Sequence, residues 1–138
     1  INELIGDIVN TFKKNGVDLT IIEKNTIQTS GRQIQLKRAF NNIIANSQRY
    51  AHKIDIILST NEKDCVIEFN DDGEGIPRDK YEDVFKPFFT LDPSRNKLKG
   101  ESGLGLTITR DIIRSHGGDV KLSESNLGGL QLKVLLPL

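Results

Sequence analysis

The sequence predicts an α+β sandwich in one domain spanning residues 1–138, with three helices on one face of a mostly antiparallel sheet. Three observations predict it. Apolar residues recur at helical spacing in three separate stretches. Apolar runs of strand length lie between and after them. Glycine or asparagine marks the points where one pattern gives way to the next.

The first stretch places Leu4, Ile5, Ile8, Val9 and Phe12 on one helical stripe, and Asn15-Gly16 ends it. Val17 to Glu23 and a short piece near Ile27 have strand character, and Gly31 marks a turn. A second helix is expected from about Gln35 to Ala51. Its Leu36, Phe40, Ile43 and Ile44 share an apolar stripe, while Asn42, Asn46, Arg49 and Tyr50 fall together on another face. Ile54–Thr60 and Asp64–Asn70 are strands joined by Asn61-Glu62-Lys63 as a hairpin. From Ile76 to Ser102 the periodicity disappears among Pro77, Pro87, Pro93, glycines and mixed charge, the composition of a long loop or lid. The third helix starts near Leu104, with Leu104, Ile108 and Ile112 in line and Ile113 beside them, and stops at His116-Gly117-Gly118. Asp119–Glu124 and the alternating Leu130, Leu132, Val134 and Leu136 are the closing strands.

Composition narrows the function classes. Hydrophobic content of 36% and charged content of 28% are those of an ordinary globular domain with enough apolar residues for its own core. Nineteen basic residues balance nineteen acidic ones, so charge gives no reason to expect nucleic acid or direct membrane contact. No apolar run has transmembrane length, and Ile1 shows neither a signal peptide nor an initiator methionine, as expected of a piece of a longer protein. The single cysteine, Cys65, sits in the apolar run CVIEF and is expected to be a buried strand thiol.

Three elements have the composition of a nucleotide site. On the second helix two amides stand four residues apart, with Arg49 and Tyr50 one turn on. An amide carbonyl suits Mg²⁺, a guanidinium suits phosphate and a phenol ring can lie against a base, although a solvated polar face would give the same pattern. Asn70-Asp71-Asp72-Gly73-Glu74-Gly75-Ile76-Pro77 follows a strand. There a carboxylate can accept from an exocyclic amine and glycines let backbone approach a flat ring; a plain acidic turn is the alternative. Gly100-Glu101-Ser102-Gly103-Leu104-Gly105-Leu106 opens into a helix, where backbone N–H groups make an anion site. No Gly-Lys-Ser/Thr follows, and no βαβ unit surrounds it, which excludes a P-loop and a dinucleotide fingerprint.

In this order the motifs resemble the ATP-binding catalytic domain of two-component sensor histidine kinases, in the GHKL group of ATPases with the Bergerat fold. Asn42-Ile43-Ile44-Ala45-Asn46 with Arg49-Tyr50 resembles the N box, and Asp71-Asp72-Gly73-Glu74-Gly75-Ile76 the G1 box. Phe85-Lys86-Pro87-Phe88-Phe89 resembles the F box, and Gly103-Leu104-Gly105-Leu106 the G2 box. The resemblance implies a two-layer sandwich with a mobile ATP lid, and ATP and Mg²⁺ as cofactors. It implies that Asn46 coordinates Mg²⁺, Asn42 supports phosphates or metal, Arg49 reaches phosphate and Tyr50 borders the adenine. Asp71 would bind the adenine amine and Gly75 would floor the base pocket, with Gly73 and Ile76 alongside. Gly103, Leu104, Gly105 and Leu106 would line the phosphates, and Lys86, Arg95 and Lys97 would be lid cations near the γ-phosphate.

The resemblance further implies transfer of the γ-phosphoryl group to a histidine on a separate hairpin domain of the same kinase. Dimerisation would run through that hairpin and a response regulator would act downstream. The location implied is the cytoplasmic side of a membrane-anchored sensor. No match to the hairpin occurs in the sequence; His116 belongs to the glycine stop, and His52 lacks the acceptor's helical setting. Leu130 stands where many relatives have threonine. An anti-sigma-factor-type serine kinase, or a nucleotide-binding or docking domain without phosphotransfer, is the alternative function.

Overall fold

The computed structural model describes residues 1–13, 18–24, 26, 31–49, 51–86 and 105–138. Along the chain they form α1 (Asn2–Lys13), β1 (Asp18–Glu23), α2 (Gln33–Gln48), β2 (Lys53–Thr60), β3 (Asp64–Asp71), α3 (Gly105–Ser115), β4 (Asp119–Glu124) and β5 (Leu130–Pro137). Two single-turn 3-10 helices, Arg78–Lys80 and Asp83–Phe85, lie in the segment expected to be irregular. The strip of sequence near Ile27 that reads as a strand, and the lid from residue 87 onward, lie outside the described residues.

The five strands form one sheet in the order β1-β2-β3-β5-β4. β1 pairs with β2 in parallel, and the β2–β3, β3–β5 and β4–β5 pairs are antiparallel. The strand period of two sends Ile54, Ile56 and Leu58 of β2, Ile67 and Phe69 of β3, and Leu132, Val134 and Leu136 of β5 into one core. The helices meet this layer with Ile5, Ile8 and Val9 from α1, Leu36, Phe40, Ile43 and Ile44 from α2, and Leu106 and Ile113 from α3. Phe40 and Phe69 join the layers, their ring centroids 6.3 Å apart in a tilted arrangement. Cys65 is fully buried among the strand residues, as its apolar surroundings predict.

The ends of α2 differ from expectation for identifiable reasons. The helix begins at Gln33 because Arg32, in extended conformation and without a side-chain cap, has its amide satisfied from elsewhere. Its N–H donates to His116 Nε2 at 3.0 Å, and its guanidinium donates to Gln35 Oε1 and Ser115 Oγ. Because Nε2 accepts, the proton sits on Nδ1 and is donated to the Ile112 carbonyl at 2.8 Å, so His116 is the neutral Nδ1–H tautomer and its role is structural. At the other end the helix stops at Gln48 rather than Ala51. Asp72 Oδ1 accepts the N–H groups of His52 and Lys53, both at 2.9 Å, and turns the chain into β2.

On α3 the buried line is Leu106, Thr109 and Ile113; Ile108 and Ile112 are half-buried. The apolar-period expectation passed over Thr109 because of its hydroxyl. That hydroxyl is satisfied in place, donating to the Gly105 carbonyl at 2.8 Å, so the side chain can be fully buried. The helix ends as the His-Gly-Gly sequence predicts, with Gly117 N–H on the Arg114 carbonyl and Gly118 N–H on that of Ile113.

Candidate functional site

Among the described residues, Asn42, Asn46, Arg49, Asp71, Gly73, Gly75, Ile76 and Gly105 of those singled out in the sequence stand on the C-terminal end of β3 and the loop after it, the later turns of α2 and the start of α3. Asp71 is the last residue of β3 and is 5% exposed. Register with β5 across β3 brings Leu130 N–H to Asp71 Oδ1 at 2.9 Å, and the loop beyond β3 brings Gly73 N–H to the same oxygen at 3.1 Å. The Asp71 carbonyl accepts from Gly129 N–H. Gly129 is packed so closely that a Cβ there would collide with the Asp71 carboxylate and backbone, which only glycine avoids. Gly75, at φ 73°, lies against the Gly129 backbone, so the two glycines flatten the wall beside the carboxylate. Ile76 is partly buried against the core at the same edge.

Burial pushes the Asp71 carboxyl above the usual carboxylate range, opposed by hydrogen bonds from Leu130 N–H, Gly73 N–H and the Ser47 side chain. Its neighbour Asp72 goes the other way. The N–H of Lys53 chiefly, with that of His52, holds it below its ordinary value, and it is exposed. One carboxylate of the pair is a buried acceptor facing the site; the other ties β3 to the start of β2.

The second half of the site stands on α2. Asn42 and Asn46, four residues apart, are both half-buried on the side away from the apolar stripe. Asn42 Nδ2 donates to the Gly105 carbonyl at 3.5 Å, bringing the first turn of α3 against α2. The Asn46 carboxamide has no hydrogen-bond partner among the described residues. A half-buried, unpartnered amide oxygen is a hard donor of the kind Mg²⁺ takes, so the residue fits that ion. Among the described residues no group of three or more His, Cys, Asp or Glu is placed to hold a metal. Arg49 caps the end of α2, half-buried.

The remaining expected residues divide into two sets. Gly105 opens α3 beside Asn42, while the Leu106 side chain is buried in the core and leaves only backbone for the site. Lys86 is exposed and pairs with Asp83 at 2.8 Å. Tyr50, Arg95, Lys97, Gly103 and Leu104 lie outside the described residues. Three further contacts were not foreseen from the sequence. Ser47 opposes the effect of burial on the Asp71 carboxyl; its signal is a serine on the apolar stripe of Leu36, Phe40 and Ile43. Thr107 Oγ1 donates to the Phe85 carbonyl at 2.6 Å, and the Arg110 guanidinium lies 4.3 Å from the Phe85 ring centroid. Together the last two fix the start of the F-box sequence on α3.

Comparison with known proteins gives a family match and a shared fold. Residues 31–138 match the model of the family described as histidine kinase-, DNA gyrase B-, and HSP90-like ATPase. The chain is 38% identical over 109 residues to the sensor histidine kinase CpxA of Escherichia coli strain K12, covering 78% of this chain and 24% of that protein. It is 32% identical over 130 residues to the signal transduction histidine-protein kinase BaeS of the same strain, covering 92% of this chain and 28% of BaeS. The sensor protein VanS of Enterococcus faecium is 36% identical over 126 residues, covering 89% of this chain and 32% of VanS. The chain thus spans between about a quarter and a third of these relatives. Among solved structures, the mycobacterial sensor histidine kinase MprB superposes with a TM-score of 0.85 at 22% identity, covering 99% of this chain and 93% of that one. The ATP-binding domain of PrrB from Mycobacterium tuberculosis does so with a TM-score of 0.82 at 24% identity, covering 98% and 91%. At these identities the likeness shows the fold.

Proposed function

The chain belongs to the histidine kinase-, DNA gyrase B-, and HSP90-like ATPase family, and from that premise we propose that it binds Mg-ATP and delivers the γ-phosphoryl group to a histidine on a separate phosphoacceptor domain. The observation that carries the proposal is the Asp71 carboxylate, buried at the end of β3 with Oδ1 held by two backbone N–H groups. A buried, acceptor-only group at the rim of the sheet is suited to an exocyclic amine. With the base there, the polyphosphate runs toward the Asn42 and Asn46 carboxamides and the N-terminal end of α3, whose backbone N–H groups favour anions. Asn46 would hold the Mg²⁺, which neutralises phosphate charge when bound; Asn42 would steady the phosphates or the start of α3. Arg49, Gly103, Leu104 and Gly105 would line the phosphate path, Tyr50 the base, and Lys86, Arg95 and Lys97 would meet the γ-phosphate.

Catalysis in this reading is positioning and charge stabilisation, without a protein nucleophile. The acceptor histidine and its base belong to the partner hairpin of the same kinase, through which two copies would pair, and a response regulator would take the phosphoryl group onward. Among the described residues no helix is long and apolar enough to cross a membrane. The proposed location is the cytoplasmic side of a membrane-anchored sensor, where ATP is available.

The test is incubation with γ-labelled ATP and Mg²⁺, alone and with the parent kinase's phosphoacceptor hairpin added in trans. The expected result is nucleotide binding by the chain, no acid-labile label on His52 or His116, and slow phosphohistidine formation on the hairpin. Stable label on this chain by itself would overturn the division of labour, and label on a serine of a small partner protein would replace it with a serine-kinase function.

A further inference from the structure

The turn just before Lys86 is fastened to α3 by two side chains that share one face of that helix, Thr107 and Arg110. Thr107 Oγ1 donates to the Phe85 carbonyl at 2.6 Å. The Arg110 guanidinium lies 4.3 Å from the Phe85 ring centroid and donates to Glu82 Oε2 at 3.1 Å. Phe85 is 4% exposed, so the clamp closes on a buried ring. Within the turn, Phe85 N–H donates to the Glu82 carbonyl at 3.2 Å and Lys86 N–H to the Asp83 carbonyl at 3.0 Å. Lys86 Nζ donates to Asp83 Oδ1 at 2.8 Å. Lys86 therefore takes its place from α3 through Phe85 and the turn that ends there.

We propose that Thr107 and Arg110 are positioning residues for the γ-phosphate: by clamping the 82–85 turn to α3 they hold Lys86 where its ammonium can leave Asp83 for the terminal phosphate of a bound nucleoside triphosphate. This rests on the reading that Lys86 meets the γ-phosphate. The start of α3, at Gly105, is the end proposed for the polyphosphate, and Thr107 follows it by two residues. One helix thus offers backbone N–H groups to the phosphates and, through two side chains, sets the cation that meets the last of them. The Lys86–Asp83 pair is exposed and weak, so a phosphate within reach can replace the carboxylate. A loosened turn would carry Asp83 and Lys86 away together and leave them paired. Losing the clamp accordingly costs the distinction between triphosphate and diphosphate, more than nucleotide binding as such.

The experiment titrates ATP and ADP calorimetrically, with Mg²⁺ present, into wild type, Lys86→Ala, Arg110→Gln, Thr107→Val, Thr107→Ser and the double variant Lys86→Ala/Arg110→Gln. Lys86→Ala is expected to lower ATP affinity roughly ten-fold, the scale of one hydrogen bond between charged groups, and ADP affinity less than about two-fold. Arg110→Gln removes the cation from the Phe85 ring, and Thr107→Val removes the hydroxyl at nearly constant shape. Each is expected to lower ATP affinity roughly five-fold, with ADP again within about two-fold. Thr107→Ser, which keeps the hydroxyl, keeps the wild-type ratio. The double variant binds ATP no more weakly than Lys86→Ala, because Arg110 acts through Lys86. Should Arg110→Gln fail to fold, Thr107→Val reads the same ratio. A merely structural clamp would weaken both nucleotides alike. That outcome, unchanged affinity for both, or additive losses in the double variant overturns the proposal. An ATP-to-ADP ratio untouched by Lys86→Ala overturns the reading of Lys86 as a γ-phosphate ligand, and with it the role given to Thr107 and Arg110.

Discussion

At the end of the site proposed for the base, Asp71 is held by amides from positions two and fifty-nine residues away, at 3.1 and 2.9 Å, and is walled by a glycine with no room for a Cβ. At the end proposed for the phosphates the described contacts are sparser. The Asn46 carboxamide has no hydrogen-bond partner among the described residues, and Asn42 Nδ2 meets the Gly105 carbonyl at 3.5 Å. The base end is completed by the pairing of β3 with β5, so its geometry exists once the sheet exists. The phosphate end is a set of polar groups on one helix and the start of another, with carboxamide valences left for a ligand. A site built in this way would recognise its base by a rigid surface and its phosphates by groups that are satisfied on binding.

The sharpest way to break the comparison is Gly129→Ala. The added methyl collides with the Asp71 carboxylate and backbone, so β3 and β5 must separate locally. A stability loss of about 3 kcal/mol by urea denaturation, together with loss of ATP binding, is expected. Near-wild-type stability would mean that the base end is as adaptable as the phosphate end.

Asp71→Asn should separate function from stability. The amide oxygen can keep the Leu130 and Gly73 N–H groups, but its NH₂ opposes the adenine amine, so ATP affinity should fall about ten-fold or more while inorganic tripolyphosphate competes nearly as before. Equal weakening of both ligands would remove Asp71 from the base end. The substitution also removes a carboxyl whose folded-state pKa is raised. Such a group contributes stability that is fully present below its unfolded value of 3.8 and is lost as pH rises through the folded value. At neutral pH the asparagine variant should therefore gain stability relative to wild type. That relative gain should shrink as pH falls toward 3.8, in a pH series of thermal unfolding.

At the phosphate end, Asn46→Ala should abolish the Mg²⁺ dependence of ATP binding with a stability change of less than about 1 kcal/mol, because the amide makes no hydrogen bond to the described residues. A larger loss would make Asn46 a structural amide and the two ends alike in rigidity.

The smallest effect on nucleotide binding belongs to Asp72→Asn, next to Asp71. Its depressed pKa carries the opposite sign: the contribution is present above the unfolded value and lost as pH falls through the folded one. Asparagine should leave ATP affinity unchanged and abolish only this shallow acid dependence, measured in the same pH series. An effect on base selectivity would place Asp72 in the site.

Several features were legible in the chain itself: the three helices, the five strands, the glycine stop of α3 and the position of Asp71 at a strand end. Each depends on side-chain period or turn chemistry within a few residues, so local sequence determines it. The sequence also set Asn42 and Asn46 on one side of α2, since a four-residue spacing on a helix leaves no other outcome. It could not tell Asp71 from Asp72 as environments. Their opposite shifts come from the burial of Asp71, which outweighs its backbone hydrogen bonds, and from the Lys53 and His52 amides on Asp72; tertiary packing alone sets the first and the pairing of β3 with β2 the second. Nor could it show that Thr109 is core or that His116 closes the start of α2. The His116 contact joins residues far apart in the chain, and Thr109, whose hydroxyl is satisfied within its own helix, is buried only once the helical layer has packed on the sheet.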